Sequence, residues 1–279
     1  MVAHEPDRKR AAEQETPPLK LNEILDGLAT QRIGTKLHYF AELDSTNIFA
    51  RRLAEQGAPA GEIVIAERQT RGRGRLGRSW VSPPFVNLYC SVVLRPRLFP
   101  KHVPQITLMA AVALAETVAS FVPSGAAIKW PNDILVNGKK IAGILTEASW
   151  NSNRIEFVVL GIGVNLNFPA ALMPEAIRQR ATSLLIATGQ TVQRETFLRR
   201  LIQDLDRCYG VLEESGFDAL APRWEARFDL RDRRVRVEIM DEVVFGAARG
   251  IDREGALIVE RDDGELQRII AGDVIPLED

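Results

Sequence analysis

The chain has 279 residues, and its 36 lysines and arginines nearly balance its 37 aspartates and glutamates, which gives a formal net charge of -1 at pH 7. This balance excludes a protein that binds polyanions over its whole surface. The 2 cysteines and 3 histidines lack the spacing of a disulfide framework or a metal centre, so we expect a cytoplasmic protein without a metal site.

The N-terminal segment, residues 1–32, carries mixed charges and two adjacent prolines but no apolar stretch typical of a secretory signal. Such a composition predicts a poorly ordered tail, with a helical turn over residues 21–25. The first strong helical pattern covers residues 48–55. It follows Ser45, Thr46 and Asn47, which are typical N-capping residues. Capping alone explains them, but a helix N-terminus with hydroxyls and an amide is also a candidate binding surface.

Residues 71–80 alternate four arginines with three glycines and end at Trp80. Glycine is costly inside helices and strands, and guanidinium groups are rarely buried, so the pattern predicts a mobile, strongly positive loop. The apolar run at residues 62–67 predicts a strand that presents this loop to an anion. Two kinds of anion remain candidates for the ligand of this loop. One is a small-molecule phosphate held by guanidinium forks, and the other is a nucleic acid.

Residues 105–122 are apolar enough to raise the question of a membrane span. Polar residues such as Glu116 interrupt the stretch and alanine dominates it, so a buried helix is the better interpretation and we expect no membrane association. Further helical patterns lie at residues 195–214 and 217–227. From residue 231 onward, short strand patterns separated by turn residues predict a small barrel, with a domain boundary near residue 230.

A second polar cluster lies at residues 129–145, where an Asn-Gly pair between two β-prone runs predicts a hairpin with a two-residue turn. The turn fixes the register, so Val136 pairs with Lys139 and Asp133 becomes the diagonal neighbour of Lys140. A cross-strand ion pair would by itself explain this juxtaposition. Glycines inside the later strand pattern, residues 158–167, predict close approach of a ligand or of another strand.

In this order and at this spacing, the polar motifs resemble those of biotin protein ligases. The motifs lie at residues 44–47, 72–80, 129–133, 140–145 and 161–165, and residues 224–225 and 245–257 resemble the end of that family. The resemblance implies an α+β fold with a mixed, mostly antiparallel sheet flanked by helices, as in class II aminoacyl-tRNA synthetases. It also implies a C-terminal SH3-like β-barrel. The expected domains are a tail (1–32), a catalytic domain (33–229) and the barrel (230–279).

The resemblance implies a reaction in two steps. Biotin and ATP first give biotinyl-5'-AMP and pyrophosphate, with Mg2+ accompanying the nucleotide. A lysine of the biotin carboxyl carrier protein of acetyl-CoA carboxylase, or of a related carboxylase, then receives the biotin. Neither step needs an enzyme nucleophile, because activation requires only that two anions be brought together and their charge neutralised.

The family pattern also assigns site residues. The expected catalytic residues are Lys140, Arg73, Arg75 and Asp133. The expected biotin-binding residues are Ser45, Thr46, Asn47, Gln69, Arg73, Gly74, Arg75, Trp80, Lys140, Gly143, Gly161 and Gly163. The expected ATP-binding or adenylate-binding residues are Arg73, Arg75, Arg78, Trp80, Asn132, Lys140 and Asn165. Residues 167–180 correspond in position to the loop that covers the adenylate in this family.

Some members of the family also repress transcription through an N-terminal DNA-binding domain. We expect a monofunctional ligase without specific DNA binding, because only about thirty polar residues precede the first motif. The chain is expected to be a monomer or a homodimer. The alternatives are a lipoate ligase, which shares the adenylation chemistry, and a nucleic-acid-binding protein that uses the arginine-glycine loop.

Overall fold

The computed structural model describes residues 17–239 and 242–277. Within these residues the strands are β1 (Lys36–Leu43), β2 (Glu62–Gln69), β3 (Leu88–Leu94), β4 (Ala127–Lys129), β5 (Asp133–Val136), β6 (Lys139–Asn151), β7 (Arg154–Val164), β8 (Arg234–Ile239), β9 (Glu242–Ile251), β10 (Leu257–Glu260), β11 (Leu266–Ile269) and β12 (Asp273–Pro276). The α-helices are α1 (Leu21–Leu25), α2 (Thr46–Glu55), α3 (Val103–Ala119), α4 (Glu175–Arg178), α5 (Leu184–Thr188), α6 (Arg194–Ser215) and α7 (Ala221–Glu225).

Seven strands form the main sheet in the order β1-β2-β3-β7-β6-β5-β4. Strands β1 and β2 are parallel, and every other neighbouring pair is antiparallel. A parallel pair needs a crossover connection, which α2 provides against one face of the sheet. The prediction of a mixed, mostly antiparallel sheet flanked by helices is confirmed.

Helix α3 forms the centre of the core, where it packs against α6 and β6. Residues Pro100–Ala119 are long and apolar enough to cross a membrane by length and composition, but 67% of their apolar window is buried inside the protein. A helix that is apolar on all sides and is covered by other elements of the protein is a core helix and not a membrane span. The prediction of a buried helix is therefore confirmed, with the helix beginning and ending slightly earlier than expected.

The opposite face of the sheet carries α2, whose Ala50 and Ala54 pack on Val64, Val93 and Phe157. Strand β3 contributes side chains to both layers, because alternate residues of a strand point to opposite faces of the sheet. The α2 layer is small and leaves much of this face of the sheet open. The candidate site lies in that open region.

The predicted tail at residues 1–32 needs correction where the structure describes it, and residues 1–16 lie outside the described part. Leu19, Ile24 and Ile33 are buried in the main core, and α1 packs against α6. Three spaced apolar residues thus outweigh the mixed charges and prolines on which the prediction rested. The expected helical turn at residues 21–25 coincides with α1.

A buried ion pair fastens this N-terminal segment to the sheet. Glu67 on β2 accepts from Arg194 Nη1 at 2.5 Å, and its other oxygen accepts from the Leu19 amide at 2.6 Å. Arg194 also donates to the Pro17 carbonyl at 2.7 Å. Burial, followed by the hydrogen bond to Glu67, raises the pKa of the Tyr39 hydroxyl to about 12, so this neighbour stays neutral.

We expect Arg194→Leu to lower the free energy of unfolding by about 3 to 5 kcal/mol, because it leaves the Glu67 carboxylate buried without its counter-charge. Urea unfolding followed by circular dichroism measures this change. The double variant E67Q/R194L should recover part of the loss, since no charge then remains buried. Wild-type stability in R194L would contradict the assigned role.

The C-terminal strands form a separate five-stranded antiparallel sheet in the order β11-β10-β9-β8-β12. Strands β8 to β11 overlap the strand patterns at residues 235–239, 243–247, 256–260 and 267–270, whereas the fifth strand, β12, was missed because it is short and ends at Pro276. The sheet contacts the segment after β4 through the Trp130 indole, which donates to the Gly255 carbonyl at 3.1 Å. Closure into an SH3-like barrel stays a prediction.

Candidate functional site

A cavity of about 850 Å³ lies between the open face of the main sheet, the arginine-glycine loop and the C-terminal sheet. Fifteen of the sixteen predicted site residues line it, although they come from distant parts of the sequence. These lining residues are Ser45, Thr46, Asn47, Gln69, Arg73, Gly74, Arg75, Arg78, Trp80, Asn132, Asp133, Lys140, Gly143, Gly161 and Gly163.

Glycines form the floor of the cavity. Gly143 on β6 pairs with Gly163 on β7, and Gly161 follows on the same face. A Cβ atom added at Gly161 would lie 2.0 Å from Asn47 Oδ1, and one added at Gly163 would lie 2.6 Å from the Trp80 ring. The absence of side chains lets Asn47 and Trp80 lie directly on the sheet. Side chains, and not another strand, therefore make the close approach at Gly161 and Gly163, and approach of a ligand there stays a prediction.

The inner end of the cavity is the N-terminus of α2. Ser45 makes no capping hydrogen bond there. Gln69 on β2 takes that role instead, since its Oε1 accepts from the Thr46 amide at 2.9 Å and from the Thr46 hydroxyl at 3.1 Å. Ser45 thus occupies the N-cap position, as predicted, but its side chain does not cap the helix. Its hydroxyl remains available to a ligand at a helix N-terminus, where backbone donors favour polar groups.

The arginine-glycine loop folds back on itself as a hairpin. The Trp80 amide donates to the Gly72 carbonyl at 2.9 Å, and the Gly74 amide donates to the Arg78 carbonyl at 2.6 Å. The turn at its tip has Leu76 at φ 54° and Gly77 at φ 73°, a conformation that favours glycine. The mobility expected of this loop without ligand stays a prediction.

Each arginine of the loop has a polar partner, and two of these partners, Asn132 and Asp273, line the cavity. Arg71 contacts Asp44 at 3.2 Å, Arg73 contacts Glu147 at 3.0 Å, Arg75 donates to Asn132 at 3.0 Å, and Arg78 pairs with Asp273 on β12. An exposed ion pair such as that of Arg78 contributes little stability, so a bound anion can replace its carboxylate. Burial lowers the pKa of the Arg75 guanidinium, and the carboxylates of Asp273 and Asp133 oppose that shift.

Lys140 lies at the centre of the cavity. Its Nζ atom is 2.6 Å from Asp133 Oδ1 and 5.4 Å from the centre of the Trp80 ring. The strand pairing around the turn has the expected register, with Val136 opposite Lys139. The predicted juxtaposition of Asp133 and Lys140 is confirmed. An ammonium group held by one carboxylate in a partly buried site is well placed to meet a second anion.

The main chain of Lys140 is held from the other side by the segment that follows residues 167–180. The Lys140 amide donates to the Arg180 carbonyl at 2.8 Å, and the Thr182 amide donates to the Lys140 carbonyl at 2.8 Å. This short parallel bridge closes one side of the cavity, where Ile177 and Gln179 also line the wall.

The structure does not place Asn165 in the cavity wall. The Asn165 amide is buried, donates to the Thr182 carbonyl at 3.0 Å and accepts from Asn87 at 3.4 Å. This placement corrects the expectation of a nucleotide contact. The side chain instead anchors the segment that holds Lys140, because its amide nitrogen donates to Thr182 and its amide oxygen accepts from Asn87.

Several lining residues were missed from the sequence. Asp229, Arg233, Glu238, Asp273 and Ile275 extend the cavity toward the C-terminal sheet. No local sequence pattern distinguishes these residues from other charged or apolar ones. They become part of the cavity only because distant segments of the chain pack together. Among the residues that the structure describes, no group of three or more His, Cys, Asp or Glu side chains could hold a metal ion.

Comparison with known proteins agrees with this geometry. The model of the biotin/lipoate A/B protein ligase family matches residues 39–165, and that of the biotin protein ligase C terminal domain matches residues 232–275. The bifunctional ligase/repressor BirA of Bacillus subtilis (strain 168) is 36% identical over 92% of this chain and 78% of its own length.

Two further relatives extend the comparison. The biotin–acetyl-CoA-carboxylase ligase of Mycobacterium tuberculosis is 34% identical over 94% of this chain and 97% of its own length. The solved biotin protein ligase from Aquifex aeolicus in complex with biotin and ATP superposes with a TM-score of 0.75 at 27% identity, and the match covers 88% of this chain and 100% of that one. This chain belongs to the biotin protein ligase family.

Proposed function

We propose that this cavity carries out both steps of protein biotinylation, as an ATP-dependent ligase. The observation that carries the proposal is one continuous cavity that joins a neutral polar pocket at the N-terminus of α2 to a cluster of cations around Lys140. Such a cavity fits a ligand with a polar, uncharged head and an anionic tail. The C-terminal match is to a biotin ligase domain, which does not favour a lipoate ligase.

The inner pocket would bind the ureido head of biotin. This group has one carbonyl acceptor and two N–H donors. Ser45, Thr46 and Asn47 line the pocket with hydroxyls and an amide, which are groups that can donate to and accept from it. The thioether ring would lie over the glycine floor, with Trp80 covering it. Gln69 contributes indirectly, because both ends of its amide are used by Thr46 and Ser82.

Lys140, Arg73 and Arg75 would bring the biotin carboxylate and the α-phosphate of ATP together. A carboxylate oxygen then forms a bond to the α-phosphorus while the bond to pyrophosphate breaks, and Arg78 lies where the leaving group would emerge. Cations that are positioned before the reaction stabilise the charge that develops at phosphorus. Arg78 would exchange its present partner, Asp273, for ligand oxygens, whereas Arg73 would keep its contact with Glu147.

In the second step the amine of an acceptor lysine would attack the acyl carbon of the adenylate, and AMP would leave. The amine must lose a proton during this step. Asp133 lies beside Lys140 at 2.6 Å and is the nearest described carboxylate to it, so we assign to Asp133 the positioning of Lys140 and, as a second role, acceptance of that proton. The acceptor would be the biotin carrier domain of acetyl-CoA carboxylase or of a related carboxylase.

Further parts of the proposal concern conditions and partners. Mg2+ would accompany ATP and take most of its ligands from phosphate oxygens and water, since the described residues contain no carboxylate cluster for it. Cys90 and Cys208 are free and buried, which supports a reducing cytoplasm. We also propose that the protein binds neither specific DNA nor membranes and that it is a monomer or a dimer.

Biotin-dependent exchange of pyrophosphate into ATP tests the proposed function. We expect the purified chain to catalyse exchange with biotin and not with lipoate, and then to transfer biotin to a carrier domain with its lysine intact. A carrier domain with that lysine changed to arginine is the control. Exchange that depends on lipoate, or no exchange together with tight RNA binding, would overturn the proposal in favour of one of the two alternatives.

A further inference from the structure

Glu147 on β6 is not among the expected site residues, yet it touches two of them. Its Oε2 accepts from Asn47 Nδ2 at 2.8 Å, and its Oε1 lies 3.0 Å from Arg73 Nη2. The neighbouring Thr146 hydroxyl bonds to Thr107 of α3 on the other face of the sheet. The pleat therefore places Glu147 on the same face of the sheet as Gly143 and Leu145, which line the cavity, although Glu147 itself does not line it.

The contact with Glu147 determines which way the Asn47 amide points. An ionised carboxylate only accepts hydrogen bonds, so it must face the Asn47 nitrogen. The second N–H of that nitrogen donates to the Leu145 carbonyl at 3.2 Å. Both donors are thus used within the protein, and Oδ1 is the end of the amide that is left. Ser91 Oγ lies 2.7 Å from this oxygen and satisfies one of its lone pairs.

Asn47 therefore meets the cavity as a hydrogen-bond acceptor. Its Oδ1 lies on Gly161, where a ligand head would sit, and one lone pair of this oxygen remains. A ureido N–H is the complement of such an acceptor. If the amide were reversed, its nitrogen would face the ligand and repel the same N–H group.

We propose that Glu147 is a positioning residue that fixes Asn47 as the acceptor for a ureido N–H of biotin and holds Arg73 beside the same pocket. This inference rests on the proposed function, because it assigns the ligand of the pocket. The Glu147 carboxylate thus fixes the position of Asn47, which would recognise the biotin head, relative to Arg73, which would meet the biotin carboxylate. A ligand with a head lacking N–H donors would gain nothing from this arrangement.

Glu147→Gln tests the proposal, since the amide keeps the shape of the carboxylate but adds a donor that lets Asn47 reverse. We expect the Kd for biotin without ATP to rise about tenfold, the loss of one well-oriented hydrogen bond. The KM for biotin in pyrophosphate exchange should rise in parallel, with kcat within about threefold of wild type. Glu156→Gln, an exposed carboxylate on the adjacent strand β7, is the matched control and should change neither quantity.

A double-variant cycle separates positioning from general structure. In an Asn47→Ala background, Glu147→Gln should weaken biotin binding less than twofold further, because its effect acts through the Asn47 amide. Asn47→Asp alone should abolish measurable binding by placing two carboxylates together. Combined with Glu147→Gln, it should recover binding to within about tenfold of wild type, because a donor then faces the new carboxylate.

Two outcomes would overturn the inference. One is an unchanged biotin Kd in E147Q, and the other is an equal loss from E147Q in the wild-type and N47A backgrounds. Failure of the proposed function is distinguishable, because the wild-type chain would then show no biotin-dependent exchange at all. Should E147Q unfold, the recovery of N47D by E147Q decides the question on the double variant.

Discussion

Lys140→Ala is expected to reduce formation of biotinyl-5'-AMP by roughly 100- to 1,000-fold, the usual loss for one preorganised electrostatic group. Biotin binding without ATP should weaken far less, because the inner pocket at α2 is unchanged. The reason is that Lys140, whose Nζ lies 2.6 Å from Asp133 Oδ1, is proposed to meet the charge that develops only during adenylation. A single-turnover assay of adenylate formation, paired with calorimetric titration of biotin, separates the two quantities.

Lys139→Ala is the matched control for this experiment. Lys139 is an exposed lysine on the same hairpin, adjacent in sequence, and it does not line the cavity. Its removal should leave adenylation within about twofold of wild type, as for most surface substitutions. Equal losses of binding and of adenylation in K140A would contradict the assignment, because they would show that Lys140 contributes equally to the ground state and the transition state.

Gly161→Ala is the second substitution with a large expected effect. Its new methyl group would lie 2.0 Å from Asn47 Oδ1 and 2.8 Å from Asn47 Cγ, so the Asn47 side chain must leave the floor of the cavity. Displacement of a recognition group by about an ångström can cost on the order of 100-fold. We expect a loss of about that size in biotin affinity, together with about 1 to 3 kcal/mol of stability from overpacking.

Titration calorimetry and urea unfolding measure the two effects of Gly161→Ala. Gly210→Ala on α6 is the control, since the nearest atom to its added methyl is the flexible end of Arg32 at 3.0 Å, remote from the cavity. Adding Asn47→Ala to Gly161→Ala should restore stability but not biotin affinity. Wild-type affinity in G161A would show that Asn47 does not need its present position on the floor.

The parts of the site that could be predicted are those fixed by short-range geometry. An Asn-Gly turn sets the register of its hairpin, so the approach of Asp133 to Lys140 follows from a few adjacent residues. Glycines inside a strand likewise indicated a place of close approach, although the groups that lie there are side chains and not another strand. In each case the physical constraint spans only a few residues, and the sequence displays it directly.

The parts that could not be predicted depend on contacts between distant segments. Asp273 meets Arg78 only because the C-terminal sheet packs over the loop, and nothing in either segment specifies the other. The side-chain cap predicted for Ser45 was wrong for the same reason, since the side chain that caps α2 is that of Gln69 on the next strand. Asn165 was misassigned because a polar residue after a strand has the same pattern whether it faces a ligand or a buried carbonyl.

The bridge between Lys140 and residues 180–182 is built from main-chain atoms alone. Backbone groups are the same for every residue except proline, so this bridge is insensitive to most substitutions. The side chains of residues 170–178 can therefore change while the main chain of Lys140 keeps its place. A library that randomises residues 170–178 and leaves 180–182 unchanged would test whether this segment contacts the nucleotide, as the family resemblance implies, without displacing Lys140.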